Sequence, residues 1–235
     1  MGCIDQINLQ DGRQYAVNIF DIIGPVMIGP SSSHTAGAVR LGYVAQKILG
    51  ETPARAVIQL SGSFAETYRG HGTDKALLAG ILGFAPDDVR IRDSLVLAEQ
   101  MNLHYEFHCE NIPGSHPNTA RITLVSSSGK DVTIQGASVG GGNILVSEIN
   151  GMGVHVTGQN NTLVILHLDK PGTIAAVTNF VSYSSVNIGN FRLSRPQKGG
   201  EAVMTIEVDG EIPDALVENL KILPNIIHVV LIQAV

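Results

Sequence analysis

One segment of the sequence, GPVMIGPSSSHTAG at residues 24–37, concentrates groups that could bind a polar ligand. Its hydroxyl-bearing side chains are Ser31, Ser32, Ser33 and Thr35. His34 stands among them, and an imidazole titrates near neutral pH, so His34 is a candidate general base. A helix beginning directly after this serine loop, residues 31–35, would aim free N–H groups at a bound carboxylate or phosphate. The alternative is that one serine only caps that helix.

A second polar cluster, YRGHGTD at residues 68–74, contains another candidate base, His71. The glycines on either side of His71 let the backbone approach a ligand closely, and Arg69 could bind a carboxylate through its guanidinium group. Asp74 could instead serve only as the cap of the following helix. The cluster alone is therefore compatible with a ligand site or with a simple helix start.

Two further segments are less specific. The run IPGSHPNT at residues 112–119 contains Asn118, but Pro and Asn are also typical of turns. The run SVGGGN at residues 138–143 lacks the G-x-G-x-x-G pattern and a surrounding βαβ unit, so it does not predict a dinucleotide site. Its glycines indicate only close approach of the backbone to a ligand or to a partner chain.

The composition limits the classes of function. The chain has 235 residues, of which 44% are hydrophobic, enough for one large domain or two smaller ones. Only 15% are charged and the net charge is -6, which leaves no basic stripe for nucleic acid. No run approaches the roughly 20 apolar residues of a membrane span, and the first residues do not resemble an export signal. A cytoplasmic protein is expected.

The glycine- and amide-rich segment INGMGVHVTGQNN separates two regions with different patterns. We expect a domain at residues 1–150, a linker at 151–161 and a second domain at 162–235. In the second region, strand and helix patterns follow the order βαββαβ, which is typical of a ferredoxin-like fold. The predicted strands are 162–168, 186–194, 201–208 and 226–232, and the predicted helices are 172–184 and 213–223.

The first region mixes helices and strands without a regular order, so the fold class of the whole chain is predicted as α+β. Its predicted helices are 36–48, about 75–82 and 91–101. Its predicted strands are 56–61, 103–109, 120–125 and 132–136. The first of these helices directly follows the serine loop.

The stretch HLDKPGTIAAVTNFVSYSSVNIGN at residues 167–190 resembles the opening of an ACT domain, a regulatory module that typically senses amino acids. A loop that leads into a helix N-terminus is also a natural seat for a small carboxylate. The resemblance implies an effector site formed by Asp169, Gly172, Thr173, Asn187 and Gly189. A purely structural or dimerising copy of the domain is the alternative, and pairing of exposed sheet edges would give a homodimer.

Together, the serine loop, GSFAETYRGHGTDKALLAGILGF, the His-Pro-Asn-Thr run and SVGGGN resemble the β chains of bacterial iron-sulfur L-serine dehydratases. The resemblance covers nearly the whole chain. It implies conversion of L-serine to pyruvate and ammonia, with a 4Fe-4S cluster as Lewis acid. A cluster needs three or four thiolates, and this chain has only Cys3 and Cys109. The cluster is therefore expected on a partner α subunit.

In this interpretation His34 is the leading candidate for removing the α-proton, and His71 is the second candidate. The expected substrate-binding residues are Ser31, Ser32, Ser33, Thr35, Arg69, Gly72, Thr73 and Asn118. No metal ligand is expected on this chain. The substrate could also be a close analogue such as L-threonine.

Two other interpretations remain open. The chain also resembles the anion-binding domain found beside ACT modules in some D-3-phosphoglycerate dehydrogenases, which would make it a non-catalytic sensor. It could also be an assembly subunit that only shapes its partner. Activity in the α chain alone would favour the last of these.

Overall fold

A computed structural model describes Gly29 and residues 31–234 of the chain. These residues form two β-sheets with helices packed on them, so the α+β prediction is confirmed. Cys3 and the first part of the predicted N-terminal domain lie outside the described residues. None of the helices in the described ranges has the length and apolar character that a membrane span needs.

The first region has four α-helices in its described part: α1 Ala38–Leu49, α2 Ser63–Thr67, α3 Thr73–Ile81 and α4 Ser94–Gln100. A π-helical turn, Ser32–Gly37, leads directly into α1, and a 3₁₀ turn, Val89–Asp93, leads into α4. The serine loop is therefore itself helical rather than a loop before the helix. The short helix α2 was not predicted, because only five residues lie between its glycine start and the following polar cluster.

The first sheet has six strands in the order β2-β1-β3-β4-β5-β6. They are β1 Pro53–Ser61, β2 His104–Cys109, β3 Thr119–Ser126, β4 Asp131–Gly140, β5 Asn143–Ile149 and β6 Met152–Val156. Only β1 and β2 run parallel. Strands β5 and β6 were not predicted, and the expected linker at 151–161 contains β6, which pairs with β5. Glycines flank these strands at positions 140–142 and 151, and β6 is only five residues long, so its pairing with β5 supplies what local propensity does not.

The second region follows the predicted order βαββαβ. Its elements are β7 Asn161–Leu168, α5 Thr173–Tyr183, β8 Asn187–Ser194, β9 Glu201–Asp209, α6 Asp214–Lys221 and β10 Ile226–Ile232. The strand order β10-β7-β9-β8, antiparallel throughout, is that of a ferredoxin-like sheet. One face of this sheet packs on α5 and α6 through residues such as Ile165, Val177 and Leu216.

The opposite face of the second sheet is buried against the first region. Val164, Leu166 and Val230 belong to the same apolar cluster as α1 and the first sheet. This follows from the near-continuous apolar runs of β7 and β9, which are typical of strands covered on both faces. The two regions therefore share one core rather than meeting only through a linker.

Helix α1 is the element that joins the parts of the molecule. It packs very closely on α3, since a Cβ at Gly80 would lie 2.0 Å from the Val39 carbonyl oxygen. It ends at Gly50, whose left-handed backbone (φ 71°) leaves room for the ring of His228 on β10. The N-terminal end of α1 carries the serine loop, and its C-terminal end touches the ferredoxin-like sheet.

Candidate active site

His34 lies in the first turn of the π-helix that precedes α1, with both ring nitrogens next to serine hydroxyls. Its Nδ1 is 3.3 Å from Ser31 Oγ and its Nε2 is 3.3 Å from Ser63 Oγ. Ser31 is also the N-cap, and its hydroxyl accepts from the His34 backbone N–H. Ser31 therefore does act as a helix cap, but capping does not account for the other hydroxyls of the serine loop. Two hydroxyls on opposite sides of the ring fix its orientation.

Burial, and then the nearby His71 ring, lower the pKa of His34 below its ordinary value, against a smaller opposing effect of the contact with Ser63. Burial acts because it disfavours the charged imidazolium. A lowered pKa keeps the imidazole neutral at physiological pH, which is the form that a general base requires. The local environment therefore suits His34 for accepting a proton.

His71 contacts His34 edge to face, with ring centroids 4.7 Å apart at 90°. It is exposed, and it is held by a tight turn in which the His71 N–H donates to the Thr67 carbonyl and the Thr73 N–H to the Tyr68 carbonyl. Gly72 then enters α3 with a positive φ of 71°. The structure thus brings together the two candidate bases that lie in separate segments of the sequence.

Three buried hydroxyl oxygens near this site have no hydrogen-bond partner among the described residues: Thr35 Oγ1, Thr73 Oγ1 and Ser138 Oγ. Each belongs to one of the segments singled out by sequence. Such groups normally find a partner, because leaving one unsatisfied costs about 1–3 kcal/mol. Thr35 lines a cleft, so its hydroxyl is suited to a bound ligand.

The SVGGGN run reaches the site through close packing. A Cβ at Gly37 would lie 2.1 Å from Ser138 Oγ, so the start of α1 sits directly on β4. Asn118 joins β4 from the neighbouring turn, since its carbonyl accepts from the Ser138 N–H at 3.0 Å. Pro117 lies against Gly62, the residue before α2. The four polar segments therefore converge on one end of the first sheet.

A cleft of about 420 Å³ lies next to the two histidines and is lined in part by Thr35, His71 and Gly72. Lys75 and Arg92 also line it and supply positive charge, although the sequence analysis did not select them. Their side chains come from α3 and from the turn before α4, so no local motif marks them. His34 does not line this cleft, but its ring contacts His71, which does.

Three of the expected substrate residues, Arg69, Ser32 and Ser33, do not line this cleft. Arg69 is exposed, and its guanidinium lies 5.4 Å from the centre of the Tyr68 ring rather than in the cleft. Asp74 is not the N-cap of α3, which is Gly72; its carboxylate accepts instead from the Lys75 N–H, and burial raises its pKa. Ser32 and Ser33 lie partly buried in the π-helical turn.

The five expected effector residues do not form one site within a single chain. Asp169, Gly172 and Thr173 follow the end of β7, whereas Asn187 and Gly189 lie near the start of β8. Strands β7 and β8 are both antiparallel to β9 and therefore parallel to each other. Leu168, at the end of β7, pairs with Glu201 at the start of β9, whereas Asn187, at the start of β8, pairs with Asp209 at the end of β9, so the two groups lie at opposite ends of the strands. The assignment of these five residues to effector binding stays a prediction, and within one chain they form two separate groups.

Some polar groups of these expected effector residues already form hydrogen bonds within the chain. The Asp169 carboxylate accepts from Arg195 and, at 2.9 Å, from the Gly199 N–H. These contacts lower the pKa of Asp169, the backbone contact most. The Asn187 side-chain amide donates to Asp209 at 2.6 Å.

A metal centre is not built from the described residues. They contain no group of three or more His, Cys, Asp or Glu side chains that could hold an ion, and Cys109 is an exposed free thiol whose Sγ lies 3.5 Å from the Ala65 carbonyl. The donor set within Gly29 and residues 31–234 therefore does not fit an iron-sulfur cluster.

The serine dehydratase beta chain profile matches residues 18–112, which include the serine loop and the His71 cluster. A probable L-serine dehydratase beta chain of Bacillus subtilis is 46% identical over 212 residues, covering 90% of this chain and 96% of that one. The chain belongs to the serine dehydratase beta chain family. An L-serine dehydratase beta chain of Peptoniphilus asaccharolyticus is 37% identical, covering 84% and 89% of the two chains.

Members of this family share sequence with part of a different enzyme. A D-3-phosphoglycerate dehydrogenase of Methanocaldococcus jannaschii is 26% identical over 200 residues, which cover 83% of this chain but 37% of that enzyme. Among solved structures, the ACT domain of a GTP pyrophosphokinase from Chlorobium tepidum matches at a TM-score of 0.27 and 19% identity, over 30% of this chain and 94% of that one. The fold assignment rests on the strand order itself.

Proposed function

We propose that this chain is the beta subunit of a two-chain L-serine dehydratase that deaminates L-serine to pyruvate and ammonia. The observation that supports this most is the convergence of the serine loop, the His34–His71 pair and a cationic cleft in a chain of this family. Beta-chain relatives imply an alpha-chain partner, and the site would be completed by that partner. As an enzyme of amino-acid breakdown it would work in the cytoplasm.

Within this proposal the chain binds the substrate and moves one proton. The Thr35 hydroxyl, with Lys75 and Arg92, holds the substrate carboxylate, because these groups line the same cleft. The neutral His34 ring takes the α-proton at its unprotonated nitrogen, and the serine hydroxyls on either side hold it in place. His71 lines the cleft, contacts the His34 ring and helps to keep His34 neutral.

Departure of the substrate hydroxyl is assigned to the partner. The described residues do not fit a 4Fe-4S cluster, so we place the cluster expected for this reaction on the alpha chain and derive no step through it. Loss of water gives aminoacrylate, which tautomerises to the imine, and hydrolysis of the imine yields pyruvate and ammonia.

The test is anaerobic pyruvate formation from L-serine by this chain alone, by the alpha chain with its cluster reconstituted, and by the mixture. Activity in the mixture alone is expected. Activity of the alpha chain alone would show that this chain only shapes its partner. L-threonine, assayed in parallel, tests whether the enzyme is restricted to L-serine. In this proposal the residues that contact the extra methyl group of L-threonine lie on the alpha chain.

A sensor function is the second candidate, favoured by the similarity to part of D-3-phosphoglycerate dehydrogenases. In that case the cleft would bind an anion without breaking a bond. An inactive mixture with an intact cluster, together with saturable binding of L-serine by this chain, would replace the dehydratase proposal with this one.

We further propose that the ferredoxin-like region pairs with a second copy through the edge strand β8 and binds an amino-acid effector there. Antiparallel pairing of two β8 strands brings the Asn187 end of one copy to the Asp169 end of the other, which unites the two separated groups. Gel filtration at micromolar concentration is expected to give a dimer. A clean monomer would contradict both the pairing and a shared effector site.

A further inference from the structure

A second cleft is lined by residues of α1 and of both regions of the molecule. It has a volume of about 290 Å³. Its walls come from α1, from the segment after α3, from the connection between the two regions and from the end of β10; they include Val39, Tyr43, Phe84, Ile144, Thr157 and Ile232. The residues of the candidate active site are not among those that line it. The cleft is therefore a separate feature that the proposed function does not use.

Among the described residues that line this cleft, Arg40 is the cationic one. Its Nη1 donates to the Gly142 carbonyl at 2.7 Å, whereas its Nε–H is buried without a partner among the described residues. None of the salt bridges within that part of the chain involves Arg40. Burial lowers the pKa of this guanidinium, which shows that its charge is poorly solvated. A partly buried charge without an ionic partner is costly.

Within the described ranges, no carboxylate forms a salt bridge with this charge. The described residues that line the cleft include no Asp or Glu. Arg90 is a second cation beside a lining residue, since its guanidinium lies 4.0 Å from the centre of the Phe84 ring, but Arg90 is exposed and paired with Asp88 at 2.6 Å. Arg40 differs from Arg90 because it lines the cleft and has no carboxylate partner among the described residues.

We infer that this cleft binds a small monocarboxylate with an apolar body. A guanidinium group matches a carboxylate in geometry as well as in charge. The aliphatic and aromatic walls suit a branched hydrocarbon rather than a sugar or a phosphate ester. Because the lining residues belong to both regions, the bound acid would hold the ferredoxin-like region against α1.

The test uses 4-methylpentanoate as the probe, with backbone amide NMR of the isotope-labelled full chain. Saturable shifts are expected for Ala85, Thr157 and Gly158, with an affinity in the millimolar range or better. The neutral analogue 4-methylpentan-1-ol and inorganic phosphate separate the contributions of charge and shape. Equal binding of the alcohol, equal or tighter binding of phosphate, or no saturable shift would each overturn the inference.

Variants locate the site. Arg40→Met is expected to weaken 4-methylpentanoate binding by roughly 10- to 100-fold, the loss of one charge-assisted hydrogen-bonded pair. Arg40 also donates a hydrogen bond to the Gly142 carbonyl, so Arg40→Met can change the fold as well as the charge. Ala85→Phe is the second variant, because it narrows the cleft from an exposed position and leaves Arg40 in place. Ala175→Phe, at an exposed position on α5, is the matched control and is expected to bind normally. Normal binding by Ala85→Phe would contradict the location.

Discussion

Two helix N-termini in this molecule, those of α1 and α5, show the same sequence feature but different structural environments. Both follow polar segments that contain glycine, and both were predicted to bind a carboxylate. At α1, the buried hydroxyls of Thr35, Thr73 and Ser138 have no partner within the described ranges, and the rings of His34 and His71 are in contact. At α5, the Asp169 carboxylate is already bound by Arg195 and by the Gly199 N–H.

A polar loop before a helix does not by itself make a binding site. The first N-terminus receives side chains from α2, α3 and β4, and two of their hydroxyls, Thr73 Oγ1 and Ser138 Oγ, have no partner among the described residues. The second supplies one buried hydroxyl without a partner in the same part of the chain, Thr173 Oγ1, and the other expected groups, Asn187 and Gly189, lie at the opposite end of the strands. We therefore propose that a second copy of the chain completes the site at α5, whereas an alpha-chain partner completes the site at α1.

Among substitutions at the two helix N-termini, His34→Ala is expected to have the largest effect on activity. Loss of a general base should lower kcat/KM of the assembled two-chain enzyme by roughly 10²- to 10⁴-fold. The measurement is anaerobic pyruvate formation, with circular dichroism to show that the variant is folded. His104→Ala, at an exposed position on β2, is the control that should keep its activity. If His34→Ala is nearly normal while His71→Ala is inactive, His71 is the base.

Matched glycine substitutions compare the packing at the two helix starts. Gly37→Ala places a Cβ 2.1 Å from Ser138 Oγ, and should destabilise the fold by roughly 1–3 kcal/mol. Gly172→Ala meets nothing within 4 Å but imposes a side chain at φ 87°, and should cost about 1 kcal/mol. Urea unfolding measures both.

The double variant Gly37→Ala/Ser138→Gly makes the packing explanation specific. Removing the Ser138 side chain takes away the atoms that the new methyl group would meet, so part of the lost stability should return. Strictly additive effects of the two substitutions would show that Gly37 is not constrained by this contact.

The pH dependence of activity tests the electrostatics of the histidine pair. Burial and His71 lower the pKa of His34, so the acidic limb of kcat/KM should lie below the ordinary value of 6.5. Below this limb His34 is protonated and cannot accept a proton, so activity falls as pH falls. His71→Gln removes one of the two causes and should move the limb toward higher pH. An unmoved limb would mean that another group controls it.

The smallest effect is expected at the α5 end from Arg195→Ala. The Arg195 side chain of the Arg195–Asp169 pair is about half exposed, and the Gly199 N–H is still available to donate to the carboxylate after the arginine is removed. Surface ion pairs contribute little, so the melting temperature should change by no more than about 2 °C. A larger fall would show that this loop is held together mainly by the ion pair.

Local sequence patterns predicted much of the fold. The β-branched and apolar runs of β7, β9 and β10 gave their positions to within about a residue, since such runs carry a strong strand signal. Strand β6 was placed in a linker because its five residues, Met152–Val156, have a weak pattern and rely on pairing with β5. The short helix α2 escaped prediction for a similar reason.

The sequence alone determined which segments carry reactive groups, the ferredoxin-like order of the second region and the family of the chain. It could not show that Ser63 orients His34 from 29 positions away, nor that Arg40 meets Gly142 across 102 positions. It also could not show that Asn187 is far from Asp169 within one chain. Secondary structure depends on neighbouring residues, whereas such distances depend on how the whole chain packs, so only the tertiary structure decided them.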